Sequence, residues 1–297
     1  MNKKAVKQVF SLKRTKIIVG IFLFLSLWGT FDISYYTEIA LYGYSASGTF
    51  STEEKTQVVV TLAVIFLIYF YVCYKKEVKK LKAISDYQRS DYFKETGKTY
   101  EETVSNKGTY GEALTVEILS KCDGYKRILI NAYIPKHDGT KSEIDAIMIH
   151  ETGIYVFESK NYSGWIYGKE DQKQWVQVLN YGKMKNYFYN PIWQNKSHIE
   201  NLKGFLGNLN TKFYSFIVFS QRCELKDVKY HYSNCAVVNR NNLPQVLYNL
   251  VGQSQKILTT NEIDDFYARL KPLTLITEEE RKAHIESIKN KIGGSDL

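Results

Sequence analysis

The richest chemistry in the chain lies in Glu143–Lys160, EIDAIMIHETGIYVFESK, where carboxylates interrupt two apolar, strand-like runs. Side chains alternate along a strand, so Ile154, Val156, Glu158 and Lys160 share one face and Tyr155, Phe157 and Ser159 the other. Glu158 and Lys160 therefore project together, and Asp145 shares a face with Ile147 and Ile149 on the preceding run. Carboxylate oxygens of Asp145 and Glu158, with the Ser159 carbonyl as a third ligand, suit a hard cation such as Mg²⁺. Lys160 would then orient or activate the attacking water and neutralise charge developing on a phosphate. A structural Glu158–Lys160 ion pair explains those two residues alone better. Asp145 on the adjacent apolar strand brings the two readings level.

Register decides whether these groups meet, because opposite residues of an antiparallel hairpin point to the same side. A two-residue loop at Thr152-Gly153 pairs Asp145 with Lys160, and a four-residue loop at His150–Gly153 pairs it with Glu158. Either brings the carboxylates within about 5–8 Å. An odd loop length would place them on opposite faces and remove the site.

The elements that must hold this window read as an α/β domain. Tyr110–Lys121 has helical spacing of Leu114, Ile118 and Leu119, with Gly124 near its end. Arg127–Ile134 reads as a strand, Trp165–Tyr167 and Gln174–Leu179 as a further hairpin, Phe213–Phe219 as a strongly apolar strand, and Cys235–Val238 as a weaker one. Asn190-Pro191 opens a helix to about Leu206, and Thr277 with Glu280 forms a capping box for a last helix over 278–292. The order predicts a mixed sheet flanked by helices.

Charge organises the remainder. The chain has 40 Lys+Arg against 31 Asp+Glu, a net +9, which by itself suggests nucleic acid or a membrane surface. Residues 1–16 carry +6, 32–57 carry −3, 75–82 carry +4 and 83–297 only +2, while 17–31 and 56–74 carry no charge. Val58–Tyr74 and the shorter run from Ile17 read as membrane spans, the second about 25 Å long as a helix. The first reaches spanning length with Ile33, Tyr35 and Tyr36 as an interfacial end; a signal peptide is the competing reading. The positive-inside rule puts both termini in the cytoplasm. The expected organisation is a basic N-terminus 1–16, spans 17–36 and 58–74 around an external loop 37–57, a juxtamembrane linker 75–105, an α/β domain 106–250 and a helical extension 251–297.

A family resemblance enters through four motifs. These are Lys107-Gly108-Thr109-Tyr110-Gly111-Glu112, Glu143-Ile144-Asp145, Gly153 through Gly164 around Glu158-Ser159-Lys160, and Asn190-Pro191-Ile192-Trp193-Gln194-Asn195. In order and spacing, over about 106–220, this resembles the nuclease-related domain (NERD) family, grouped with the PD-(D/E)xK nucleases. The resemblance implies a PD-(D/E)xK-like fold and Asp145, Glu158 and Lys160 as the metal and water site with Mg²⁺ or Mn²⁺. It adds Glu112 as an accessory metal carboxylate and Gln194 as a helix-borne catalytic group. It implies phosphodiester hydrolysis of nucleic acid, DNA foremost; a catalytically silent module tethering nucleic acid or protein to the membrane is the alternative. Ile144 stands where the superfamily name has Pro, and Ser159 where the family often has Thr.

Other constellations are weaker. Cys223, His231 and Cys235 lack the fourth ligand and CxxC spacing of a zinc site. Cys73, at a membrane boundary, suits palmitoylation, though apolar packing explains it better. Tyr181, Tyr187, Phe188 and Tyr189 among Lys183 and Lys185 would suit nucleic acid, though strand packing explains them as well. His198, one turn beyond Gln194, shares the site face or serves as a satisfied helix histidine.

Overall fold

The computed structural model describes residues 52–207 and 211–277, with 279 and 286 beyond. Contacts divide the chain into two units, Met1–Tyr87 and Gln88–Leu297. The described part of the first unit is almost entirely one helix, α1 (Thr52–Gln88). It exposes Val60, Val64, Ile65, Leu67, Ile68, Tyr71 and Val72. Among the described residues no helix is long and apolar enough to cross a membrane, so the expected two-span anchor finds no support there. The expected span 17–36 and the final helix 278–292 lie outside the described residues, apart from 279 and 286. The expected external loop is described only over 52–57, which is helical.

The second unit begins with two short helices, α2 (Asp91–Thr96) and α3 (Tyr100–Ser105), within the expected juxtamembrane linker 75–105. Each has its own cap. Ser90 accepts from the Phe93 amide, and Thr99 forms a reciprocal capping box with Glu102. Next come α4 (Lys107–Ser120), capped by Asn106, and strands β1 (Lys126–Pro135), β2 (Lys141–His150) and β3 (Gly153–Lys160). Beyond them lie β4 (Gly164–Lys169), β5 (Gln174–Leu179), β6 (Met184–Tyr189), α5 (Pro191–Leu206), β7 (Phe213–Phe219), β8 (Cys223–Lys229) and β9 (Cys235–Asn239). Two helices, α6 (Leu243–Gln253) and α7 (Thr260–Leu270), follow.

The main sheet has the order β1-β2-β3-β7-β9. Its first three strands form an antiparallel meander, and β7 and β9 run parallel to β3. The expected mixed sheet flanked by helices is what the chain builds. Leu129, Ile134, Ile144, Ile147, Ile149, Ile154 and Val156 pack with Ile199, Leu202 and Leu206 of α5 and Ile263, Phe266 and Leu270 of α7. Burying the three α7 side chains contributes about 5–9 kcal/mol as an upper estimate, so this helix belongs to the core rather than to an appendage. The expected boundary at 250 falls inside α6. On the opposite face of β3, Tyr155 stacks on Tyr214 of β7 and Phe157 meets Phe216 at a tilt, with centroids 4.7 and 5.1 Å apart.

A second sheet, β6-β5-β4-β8, closes one end of the first. Its Ile166 and Trp175 share a cluster with Ile192, Ile217 and Phe219, so β7 serves both sheets. The Ser220 amide donates to the Lys160 carbonyl, joining the ends of β3 and β7 where the candidate residues lie.

Candidate active site

The β2–β3 hairpin fixes the register on which the chemistry depends. His150 pairs with Gly153 and Ile149 with Ile154, an alignment that places Asp145 opposite Glu158 one step beyond Ala146–Phe157. This is the even pairing in which both carboxylates share a side. Gly153 is required at the turn: its φ is 140°, and a Cβ there would come within 2.6 Å of the Lys212 carbonyl oxygen. The Thr152 hydroxyl bonds His150 Nδ1 at 2.9 Å, bracing the turn from within.

Asp145 lies at a break in the regular ladders. The opposite residue on β1, Asn131, has φ 54°, and no pairing joins the two. Ile144 and Ile147, an odd step apart, both enter one core cluster, which strict alternation would forbid. The distortion leaves Asp145 Oδ2 to accept the Ser159 amide at 2.7 Å. Ser159 therefore fastens Asp145 through its own main chain, while its hydroxyl donates to Thr115 on α4 at 3.3 Å.

On the other face of β3, Lys160 Nζ donates to Glu158 Oε1 at 2.6 Å and to Gln194 Oε1 at 3.0 Å. Glu158 is 3% exposed. Its Oε2 lies 3.3 Å from His198 Nε2 but is not aligned for a hydrogen bond, and both atoms are buried without a hydrogen-bond partner. His198 Nδ1 bonds the Ser142 hydroxyl at 2.7 Å, which fixes the ring from β2. Gln194 and His198 sit one turn apart on α5, so one helix face reaches both ends of the ion pair.

The first turns of α5 use most of the Asn190–Asn195 motif. Asn190 caps the helix through the Ile192 amide and donates its Nδ2 to the carbonyls of Lys169, Glu170 and Gln172. Pro191 occupies the position where a missing amide hydrogen costs nothing. Trp193 Nε1 donates to the Glu170 carbonyl, and Asn195 Nδ2 to the Val156 carbonyl and Ser215 Oγ. These contacts lock α5 to both sheets and thereby aim Gln194.

Electrostatics separate the two carboxylates. Burial pushes both upward. For Glu158 the Lys160 ammonium, followed by His198, outweighs burial and holds its carboxyl at about 2. For Asp145 burial is reinforced by the charges of Glu158 and Glu112, so its carboxyl is raised well above the usual range despite the Ser159 amide and Lys160. Burial lowers Lys160, but Glu158 more than restores it and keeps it cationic. A carboxylate pushed up by its neighbours, and a buried Glu158 oxygen with only the unaligned His198 beside it, have the chemistry to hold a divalent cation. Glu112 belongs to the same electrostatic neighbourhood, although its Oε2 accepts the Tyr92 hydroxyl at 3.2 Å. Among the described residues no three His, Cys, Asp or Glu side chains gather closely enough to hold a metal by themselves. An ion here would rest on two carboxylates plus main-chain or water oxygens.

Asp145, Glu158, Lys160 and Gln194 thus converge, with Ser159 and Glu112 beside them. His198 joins on the site face, and Ser142, Thr115 and Tyr92 are additional partners. Their sequence context carries no chemical signature; only the i, i+4 spacing of Gln194 and His198 pointed to any of these contacts. Cys223, His231 and Cys235 do not form a site: Cys223 donates its thiol hydrogen to the Ser220 carbonyl, and exposed His231 pairs with Glu170 at 2.9 Å.

The site is thus a sheet-borne acidic pair beside a lysine and a helix-borne glutamine. The model of the nuclease-related domain matches residues 107–220. The chain is 32% identical over 186 residues to an uncharacterized protein of Bacillus anthracis, an alignment covering 62% of this chain and 85% of that protein. Residues 107–220 of the chain therefore carry a nuclease-related domain. No solved structure matches it.

Proposed function

We propose that this protein is a membrane-attached nuclease-like hydrolase that cleaves phosphodiester bonds of nucleic acid, DNA foremost, with Mg²⁺ or Mn²⁺. The observation that carries the reading is the Lys160 ammonium fixed between Glu158 and Gln194 beside an Asp145 carboxylate crowded by other carboxylates. Asp145 and Glu158 would hold the cation, with the Ser159 carbonyl and, in an accessory role, Glu112. The bound ion would supply Lewis-acid polarisation and a more acidic water. Glu158 and Gln194 keep Lys160 charged and aimed, so that it can orient water and offset charge on a phosphate oxygen. The Ser159 amide holds Asp145 in place without using its second oxygen.

Two features support the nucleic-acid and membrane parts of this proposal. Edge strand β6 exposes Lys185, Tyr187 and Tyr189 after an exposed Tyr181 and Lys183, so these aromatics are not consumed in packing. Two uncharged runs are flanked by ten surplus positive charges, and exposed apolar residues continue along α1. By the same charge rule both termini would be cytoplasmic. A silent binding module is the second reading, favoured by Glu158 already spending one oxygen on Lys160.

Full-length protein should cleave DNA only when Mg²⁺ or Mn²⁺ is present, and Glu158→Ala and Lys160→Ala should each abolish cleavage. Absence of divalent-dependent cleavage would overturn the hydrolase and leave the binding module. Cleavage that survives both substitutions would overturn the assignment of the site.

A further inference from the structure

Arg240, immediately after β9, is 6% exposed, yet it forms no ion pair with a carboxylate among the described residues. Its Nε donates to Thr115 Oγ1 at 3.3 Å, and its Nη2 is buried with no hydrogen-bond partner. Arg is buried only at considerable cost unless something answers its charge. Burial, and then the charge of Arg222, depress its proton affinity. Arg222 is itself exposed and donates Nη2 to the carbonyl and side-chain oxygens of Asn161 at 3.0 and 3.1 Å. Both arginines adjoin Asn161, and among the described residues neither forms an ion pair with a carboxylate.

Their position is informative. Thr115 Oγ1, which receives Arg240 Nε, also receives the Ser159 hydroxyl, and Asn161 follows Lys160 directly. Arg240 Nη2 lies against Gly111, where a Cβ would come to 3.1 Å from it and from Asn161 Cβ. Gly111 lies in the early turns of α4, whose Lys107 carbonyl accepts Asn161 Nδ2. The helix N-terminus adds positive potential on the same side. An anion would answer the Arg240 charge, and bidentate guanidinium geometry suits phosphate in particular.

We propose that Arg240 and Arg222 bind a backbone phosphate of the nucleic acid neighbouring the one held at Asp145, Glu158 and Lys160. This subsite rests on the nuclease reading for its substrate, but its binding contribution is separable from cleavage. Arg240 lies beyond the segment shared with the family model, so it would set how this chain seats its substrate.

The test is anisotropy of a labelled DNA oligonucleotide on the full-length protein in EDTA, repeated across roughly 50–200 mM salt. Arg240→Gln and Arg222→Gln should each weaken binding about tenfold and lower the salt slope by about one phosphate contact. Arg240→Lys should retain the slope. Inorganic phosphate should raise the melting temperature of the wild type more than that of Arg222→Gln. If Arg240→Gln fails to fold, Arg222→Gln, an exposed change, carries the test alone. Unchanged slopes and equal phosphate protection would overturn the subsite, even if metal-dependent cleavage is intact. Arginine-dependent slopes without cleavage would keep the phosphate subsite and remove the hydrolase.

Discussion

Replacing Glu158 by Gln removes one charge from a buried pair and leaves the Lys160 ammonium with only neutral partners. The fall of the Glu158 carboxyl from 4.5 to about 2, at about 1.4 kcal/mol per tenfold change in proton affinity, corresponds to about 3 kcal/mol of stability. Breaking one side of a buried ion pair independently suggests about 3–5 kcal/mol. Because the folded-state value is depressed, this contribution is present above about pH 4.5 and lost as pH falls through about 2. Asp145 has the opposite sign. Its raised value means that the metal-free fold loses stability as pH rises from the ordinary carboxylate range through the folded-state value. Asp145→Asn keeps an oxygen for the Ser159 amide and removes the crowded charge, so it should stabilise the metal-free protein by about 0.5–2 kcal/mol near neutral pH. Thermal unfolding of the full-length chain in mild detergent and EDTA reads both effects. Glu158→Gln should melt about 6–12 °C lower at pH 7 and lose less stability than the wild type between pH 4.5 and 2. Asp145→Asn should melt higher. A Glu158→Gln variant as stable as the wild type, or a destabilised Asp145→Asn, would refute this electrostatic account.

Two further substitutions probe what surrounds the pair. Asn190→Ala removes the α5 cap and three carbonyl contacts to the β4–β5 region, and should cost about 2–4 kcal/mol in urea unfolding. Little loss would mean that the apolar face and the Trp193 and Asn195 contacts hold α5 without the cap. Lys183→Ala with Lys185→Ala should leave the melting temperature unchanged, since both are exposed, and lower the salt slope of DNA binding by about two contacts. An unchanged slope would remove β6 from the nucleic-acid surface.

The faces of β3 were legible because strand alternation is local: Glu158 and Lys160 project together and Ser159 points to α4. The register was legible only as a choice, because Gly153 and its contact to Lys212 bring in a segment almost sixty residues away. Strand β8 escaped notice because Glu224, Lys226 and Asp227 make an edge strand look like a solvated loop. Strand β6 carries a similarly exposed mixture. Helices α6 and α7 have clear apolar faces, yet their place in the domain depends on core contacts such as Phe266 with the main cluster. Arg240 had no motif at all; only its burial beside Thr115 gives it meaning. The net charge of +9 resolves similarly, since all but a little of it flanks the uncharged runs and not the site.

The central claim is that Asp145 and Glu158 jointly hold a divalent cation. Calorimetric titration of Mn²⁺ into the full-length protein, repeated near neutral pH in buffers of different ionisation enthalpy, tests it most directly. The account predicts saturable binding that is lost in Asp145→Asn, with protons released wherever the pH lies at or below the raised Asp145 value, because Asp145 must ionise to serve as a ligand. Binding that persists unchanged in Asp145→Asn, or no binding by the wild type, would contradict it.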